Sequence, residues 1–245
     1  MGKRIRVQRR GRGGFPYRAS THKRIAPAKY PNMTSQEMEN VVQGSIVELS
    51  HEPGRGAPLA ALKLETGETW YTVVPEGVYE GQQIKIGGNA PIDIGNVLPI
   101  GKIPEGTMIC NIELSPSDGG KLARSSGAYA TIVGHTPEGT IIRLPSGKTH
   151  YINDLCRATV GAIAAAGRVD KPFLKAGNKW HLMKAKGHTY RRTRGIAMIP
   201  AVHPYGSSKR GGQKQKLASR NAPPGQKVGL IAARRTGRGR KKINV

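Results

Sequence analysis

Seven histidines, two cysteines and fifteen carboxylates are the residues of this 245-residue chain whose types suit catalysis or metal binding. The histidines stand at positions 22, 51, 135, 150, 181, 188 and 203, and none shares metal-ligand spacing with a cysteine or carboxylate. Cys110 and Cys156 form neither a CxxC pair nor a disulfide framework and read as two reduced thiols. The chain holds no GxxxxGK[ST] phosphate loop, no HExxH and no GxSxG, and no GxGxxG links a strand to a helix. His203 is the histidine worth weighing, because Pro200 and Pro204 hold its stretch extended. A general base needs a partner to position it, and residues 171–245 contain no Asp or Glu. The sequence therefore predicts no enzyme, no catalytic residue, no metal site and no intrinsic cofactor.

The chemistry that the chain is rich in is anion binding. Forty Lys and Arg against fifteen acids give a net charge of +25. Residues 1–31 hold ten basic side chains and no acid, and residues 171–245 hold twenty and none. Between them, residues 32–120 hold four basic and twelve acidic side chains, and residues 121–170 hold six and three. A merely solubilising surface mixes both signs. A 75-residue segment without a carboxylate cannot pair its own charge and needs a polyanion. Nucleic acid fits better than membrane. Gly and Pro interrupt both ends, no helix with a bulky apolar face is evident, and Val160–Ala166 is too short to cross a bilayer. No apolar leader follows Met1-Gly2-Lys3-Arg4, so an intracellular protein is expected.

The candidate contacts in the N-terminal segment are Lys3, Arg4, Arg6, Arg9, Arg10, Arg12, Arg18, Lys23, Arg24 and Lys29. Phe15, Tyr17 and Tyr30 stand among them and suit stacking on bases or anchoring to a fold. In the C-terminal part the candidates are Lys184, Lys186, Arg191, Arg192, Arg194, Lys209, Arg210, Lys214, Arg220, Arg234, Arg235, Arg238 and Arg240.

Four regions must position these groups. Residues 1–38 read as an extended basic arm, since Gly11, Gly13, Gly14, Pro16, Pro27 and Pro31 exclude a long helix. Residues 39–118 read as a small β-barrel of the oligonucleotide-binding (OB) type, with strands at 62–65, 69–74, 82–86 and 107–114. Within the last strand, alternation points Met108, Cys110, Ile112 and Leu114 at a core. Residues 119–192 read as an SH3-like barrel with strands at 128–133, 140–144, 148–152 and 158–163, and a short helical turn at 172–176. Residues 193–245 read as a second basic tail in which only Val228–Ala232 looks ordered. The predicted fold class is mainly β: two small barrels flanked by long basic extensions. On these residues alone, a cycling translation or transcription factor and an architectural DNA protein remain open alternatives.

One set of motifs narrows the choice. Pro53-Gly54-Arg55-Gly56-Ala57-Pro58, Ile94-Gly95-Asn96-Val97-Leu98-Pro99 and Gly120-Lys121-Leu122-Ala123-Arg124-Ser125-Ser126-Gly127 come first. Gly167-Arg168-Val169-Asp170-Lys171-Pro172, Lys175-Ala176-Gly177, Arg194 to Gly206, Asn221 to Gly225 and Arg234 to Arg238 follow in order. In this content and order the chain resembles the universal large-subunit ribosomal protein two family, in its archaeal and eukaryotic form. The resemblance implies an OB barrel, an SH3-like barrel and tails threaded into large-subunit ribosomal RNA. It implies roles in early assembly, in subunit joining and in shaping RNA at the peptidyl-transferase centre. The implied partners are that RNA, neighbouring ribosomal proteins and the small subunit, with no membrane; the implied place is the cytoplasmic ribosome. No intrinsic cofactor is expected, and bridging of protein and RNA by Mg²⁺ or K⁺ stays open. Carried over by position as RNA contacts, Arg55 matches the family's basic residue in the turn of the first barrel, Lys121 and Arg124 the segment entering the second, and Arg168, Lys171, Lys175, Lys179 and Trp180 its RNA-facing end; His203 matches a histidine proposed to support peptidyl transfer and is given a positional role at most. Three positions depart from the family's tail pattern. Ile199 replaces its Asn, Val202 its acidic residue and Ser207-Ser208 two of its glycines.

Overall fold

A computed structural model of the chain describes residues 2–32, 40–207 and 217–234. Two compact units form: Met1–Ala19 with Lys186–Val245, and Ser20–Ala185.

The unit of residues 20–185 is built on β-strands. They are β1 (Val42–Ser50), β2 (Leu59–Leu64), β3 (Thr69–Val73), β4 (Gln83–Ile86), β5 (Val97–Pro99), β6 (Met108–Cys110), β7 (Ala130–Thr136), β8 (Gly139–Arg143), β9 (Thr149–Ile152) and β10 (Arg157–Val160). They join in one ten-stranded sheet in the order β3-β2-β1-β4-β5-β10-β6-β7-β8-β9. Neighbours are antiparallel except β4 and β5, which are parallel. A bulge between Ile46 and Glu48 in β1, and another between Ile132 and Gly134 in β7, tighten the local bend.

The period of two along a strand explains how one sheet serves two cores. Val97 of β5 enters a core with Ile46, Leu62, Trp70 and Ile84, whereas its neighbour Leu98 enters another with Ile109, Ile132, Ile142 and Ala158. In β10, Ala158 and Val160 face the second core, while Arg157 and Thr159 face the other way and meet Tyr30. Leu98, Ile100, Ile103, Ile109 and Ile112 thus serve the second core, although the sequence groups them with the first barrel.

The seam between the cores is polar and closed. Glu113 and Arg157 are buried; Arg157 Nη2 lies 2.7 Å from Glu113 Oε1 and Nε 3.2 Å from Oε2. The backbone N–H groups of Arg157 and Gly119 also donate to this carboxylate. Arg157 Nη1 donates to the Pro31 carbonyl at 2.8 Å, and its guanidinium sits 5.2 Å from the centre of the Tyr30 ring. Tyr30 is therefore a core residue that sews the N-terminal arm to the sheet, and burial pushes its phenol pKa upward.

Three expectations change. Met108 and Leu114 are half exposed, because β6 ends at Cys110 and Asn111 turns the chain with φ 48°. Burial therefore falls on the consecutive Ile109, Cys110, Asn111, Ile112 and Glu113, not on an alternating row. The arm is not wholly extended, since α1 spans Arg6–Gly11. The helical turn expected at 172–176 is replaced by α2 (Gly167–Asp170) and the ten-residue α3 (Ala176–Ala185). Cys110 and Cys156 are free buried thiols, both pushed up to about 12 by burial.

The other unit joins the start of the chain to its end. Ile5, Tyr205 and Val228 form its small apolar core, the Lys3 N–H donates to the Ala201 carbonyl, and the Tyr205 hydroxyl donates to the Val228 carbonyl. β11 (Leu217–Ala218) and β12 (Leu230–Ile231) pair in parallel, so order in the tail extends well beyond Val228–Ala232.

Candidate nucleic-acid interface

The turn at residues 52–56 gathers four arginines. Glu52 is fully buried, and Arg55 Nε lies 3.0 Å from its Oε2, at ion-pair distance but too oblique for a hydrogen bond. Arg55 Nη2 donates to the Ala26 carbonyl at 3.3 Å. Arg124 donates through Nη1 to the Gly120 carbonyl at 2.8 Å and through Nη2 to the Ala28 carbonyl. Arg24 packs on Gly54, whose N–H donates to the Lys23 carbonyl. Arg168 reaches Ser126 Oγ at 3.5 Å and lies over Gly56, where a Cβ would stand 2.0 Å from its Nη1. Gly56 also has φ +94°, so both conformation and space demand glycine there.

Electrostatics leave this cluster short of negative charge. Burial pulls Arg55 below the usual guanidinium range, with Glu52 opposing and Arg24 reinforcing the fall. Burial, then the charge of Arg55, does the same to Arg124. The turn thus sets one buried carboxylate among four arginines, of which Arg55 stands at ion-pair distance from it. Arg55 and Arg124 are tethered to main-chain carbonyls, so they lose little further freedom when an anion arrives. A phosphate backbone restores the missing charge and accepts the free N–H groups.

A second basic surface surrounds α3. Lys171 and Lys175 precede or open it, and Lys179, Trp180 and Lys184 lie along it. Lys184 Nζ stands 4.9 Å from the Trp180 ring centre and Lys179 Nζ 5.9 Å from that of Phe173. Trp180 and Phe173 are about half exposed, and Leu174 is almost fully so. Lys121 is exposed but paired with Asp118 at 3.1 Å, and Lys29 lies against Gly119. Burial opposes the ionised form of Asp118, but hydrogen bonds from Lys121 and the Ser115, Gly120 and Leu114 N–H groups outweigh it and hold its pKa low. Lys23 and Lys29 thus belong with the sheet, not with a free arm.

The terminal unit presents the rest. Lys3, Arg4, Arg9, Arg10, Arg12, Arg18, Lys186, Arg191, Arg192, Arg194, Arg220 and Arg234 are exposed on it, and Arg6 is half-buried. His203 is wedged against Gly195, where a Cβ would stand 2.3 Å from the ring's Cε1. The Tyr205 N–H donates to His203 Nδ1 at 3.1 Å, so Nδ1 carries the lone pair and a neutral ring holds its proton on Nε2. Burial, then the charge of Arg6, lowers the imidazole pKa. Lys209, Arg210, Lys214, Arg235, Arg238 and Arg240 lie outside the described residues.

Sequence reasoning missed Glu52 and the pair Glu113–Arg157. Glu52 carried a signal, since it stands three residues before Arg55. Glu113 and Arg157 stand 44 residues apart and carried none.

Among the described residues no helix is long and apolar enough to cross a membrane, and no cluster of three metal-ligating side chains forms. Ordered arginines on a β-scaffold, together with terminal segments that contain no Asp or Glu, define a polyanion-binding protein. Comparison with known proteins makes the class specific. Residues 2–86 match the model of the RNA-binding N-terminal domain of ribosomal proteins L2, and residues 93–227 match that of their C-terminal domain. The large ribosomal subunit protein uL2 of Korarchaeum cryptofilum (strain OPF8) is 50% identical over 244 residues, 99% of this chain and 98% of the relative. That of Thermofilum pendens (strain DSM 2475 / Hrk 5) is 51% identical over 242 residues, 97% and 96% of the two chains. The chain belongs to the ribosomal protein L2 family.

Proposed function

We propose that this chain is a structural constituent of the large ribosomal subunit and holds its ribosomal RNA. The observation that carries the reading is the terminal unit, whose two segments, 1–19 and 186–245, contain no Asp or Glu. Each Lys or Arg set on a phosphate releases condensed counterions. The arginines around Glu52 arrive already aimed, and Gly- and Pro-rich segments follow RNA grooves that no helix enters. On this reading the first half of the sheet is an OB-type barrel and the second an SH3-like barrel, both docking by shape. The protein then acts in subunit assembly, in subunit association and in the RNA architecture around the peptidyl-transferase centre, with the chemistry left to RNA. His203 supports a positional role, because its Nδ1 is already occupied by a backbone N–H. Neighbouring ribosomal proteins, the small subunit and bridging Mg²⁺ or K⁺ complete the partners, in the cytoplasmic ribosome.

Sedimentation of a lysate through a high-salt sucrose gradient, following this chain by antibody, tests the reading. Salt strips loosely held cationic proteins, since their affinity falls steeply with ionic strength. The chain should stay with the large subunit. Its release to the top of the gradient from an intact subunit would overturn the proposal.

A further inference from the structure

An open groove of about 400 Å³ lies on the outer side of the β7–β8 hairpin, lined by Gly127, Tyr129, Thr131, Arg143, Leu144 and Pro145, among others. Its geometry follows from strand register. Ala130, Ile132 and Ile142 point into the second core, so Tyr129, Thr131 and Arg143 point outward. Thr131 pairs with Arg143 across the ladder, which sets the Arg143 stem one strand spacing from the threonine hydroxyl. Tyr129 is 45% exposed and Arg143 is exposed as well. Neither side chain has a hydrogen-bond or ion-pair partner among the described residues. A half-exposed aromatic ring, a free guanidinium and a hydroxyl in one groove match the flat face of a base, a phosphate and the polar edge of that base.

The groove also continues the interface described above. Arg168 of the arginine cluster reaches Ser126, and Gly127, the next residue, already lines the groove. Lys121, Arg124, Arg143 and Lys148 give the stretch 121–149 its positive charge. Its one acid, Glu138, lies at the far end of the hairpin, beside the Thr136–Gly139 pair.

We propose that this groove takes one unstacked nucleotide of large-subunit RNA, its base against the Tyr129 ring and its phosphate on Arg143. The strand that meets the arginine cluster runs on into it. The inference rests on the ribosomal-RNA reading and adds a site outside the arginine-rich segments.

The test uses the full chain and purified large-subunit ribosomal RNA, with binding measured over a series of KCl concentrations. Tyr129→Ala should weaken binding about tenfold at every salt concentration, while Tyr129→Phe, which keeps the ring, should stay within about twofold of the parent. Arg143→Gln should lower the salt slope by about 0.7, the share of one phosphate contact on a single strand. Ultraviolet irradiation should link a nucleotide to the peptide containing Tyr129. Both side chains are exposed, and unchanged circular dichroism confirms that the variants fold. Parent-like affinity and slope in Tyr129→Ala and Arg143→Gln, with the parent binding tightly, would overturn the groove and leave the proposed function standing. A parent that does not bind the RNA would overturn both.

Discussion

Replacing Glu113 with Ala should be among the most damaging single changes available in the sheet unit. The carboxylate is fully buried and accepts four hydrogen bonds: from Arg157 Nε, Nη2 and backbone N–H, and from the Gly119 N–H. Its loss leaves those four donors without an acceptor and strands a guanidinium charge that is itself only 2% exposed. Breaking a buried ion pair from one side costs about 3–5 kcal/mol, because the surviving charge has no compensation. Each kcal/mol shifts the melting point of a domain of 150–250 residues by about 2–4 °C, so a fall of roughly 6–20 °C is expected. Thermal unfolding followed by circular dichroism reads this directly. Hydrogen exchange should localise the damage to residues 28–31, since Arg157 Nη1 holds the Pro31 carbonyl. The double change Glu113→Leu with Arg157→Met should recover most of the loss, because an apolar pair of similar volume leaves no charge behind. A shift under about 2 °C for Glu113→Ala would refute the argument, because it would mean that water reaches the seam.

Three further outcomes are expected. Arg124→Gln should lower the salt slope of binding to duplex regions of the RNA by about 0.9, as measured by filter binding, and should also lower Tm by a few degrees, since the Gly120 and Ala28 carbonyls lose a charged donor. Gly195→Val should expel the His203 ring, since a Cβ there would stand 2.3 Å from Cε1; nuclear magnetic resonance of the imidazole should show the fixed Nε2–H tautomer disappear. The lowered pKa of His203 means that the unfolded chain takes up its proton first on acidification. Its contribution to the terminal unit is therefore complete above about pH 6.5 and fades as pH falls below that value. Hydrogen exchange of residues 195–207 at two pH values measures the fade, and His203→Asn should abolish the pH dependence.

How far the sequence reveals this molecule differs from one element to the next. The division of charge between middle and ends needs only counting, and the short strands with their Gly- and Pro-rich turns follow from local chemistry. Alternation misled at Met108–Leu114, because the strand is three residues long and a left-handed Asn111 ends it. α3 escaped notice for a different reason. Of its residues only Ala185 is buried, so it has no apolar stripe, and Gly177 and Asn178 weaken its first turn. The arginine cluster was legible one side chain at a time. Its closure was not, because Arg124 reaches the Ala28 carbonyl across 96 residues. The joining of the two basic ends into one unit rests on contacts such as Ile5 with Tyr205, for which no spacing rule exists.

That joining bears on the timing of synthesis. Ile5 leaves the translating ribosome roughly 200 residues before Tyr205, an interval of about 10–40 s at ordinary elongation rates. Throughout it, the polycationic N-terminus is a nascent chain without its clasp, exposed to every stray anion in the cell. Ile5 is seated only after Tyr205 and Val228 have been made. A product that stops before Tyr205 lacks the residues that pack on Ile5, so the terminal unit closes only once both of its basic segments have been synthesised.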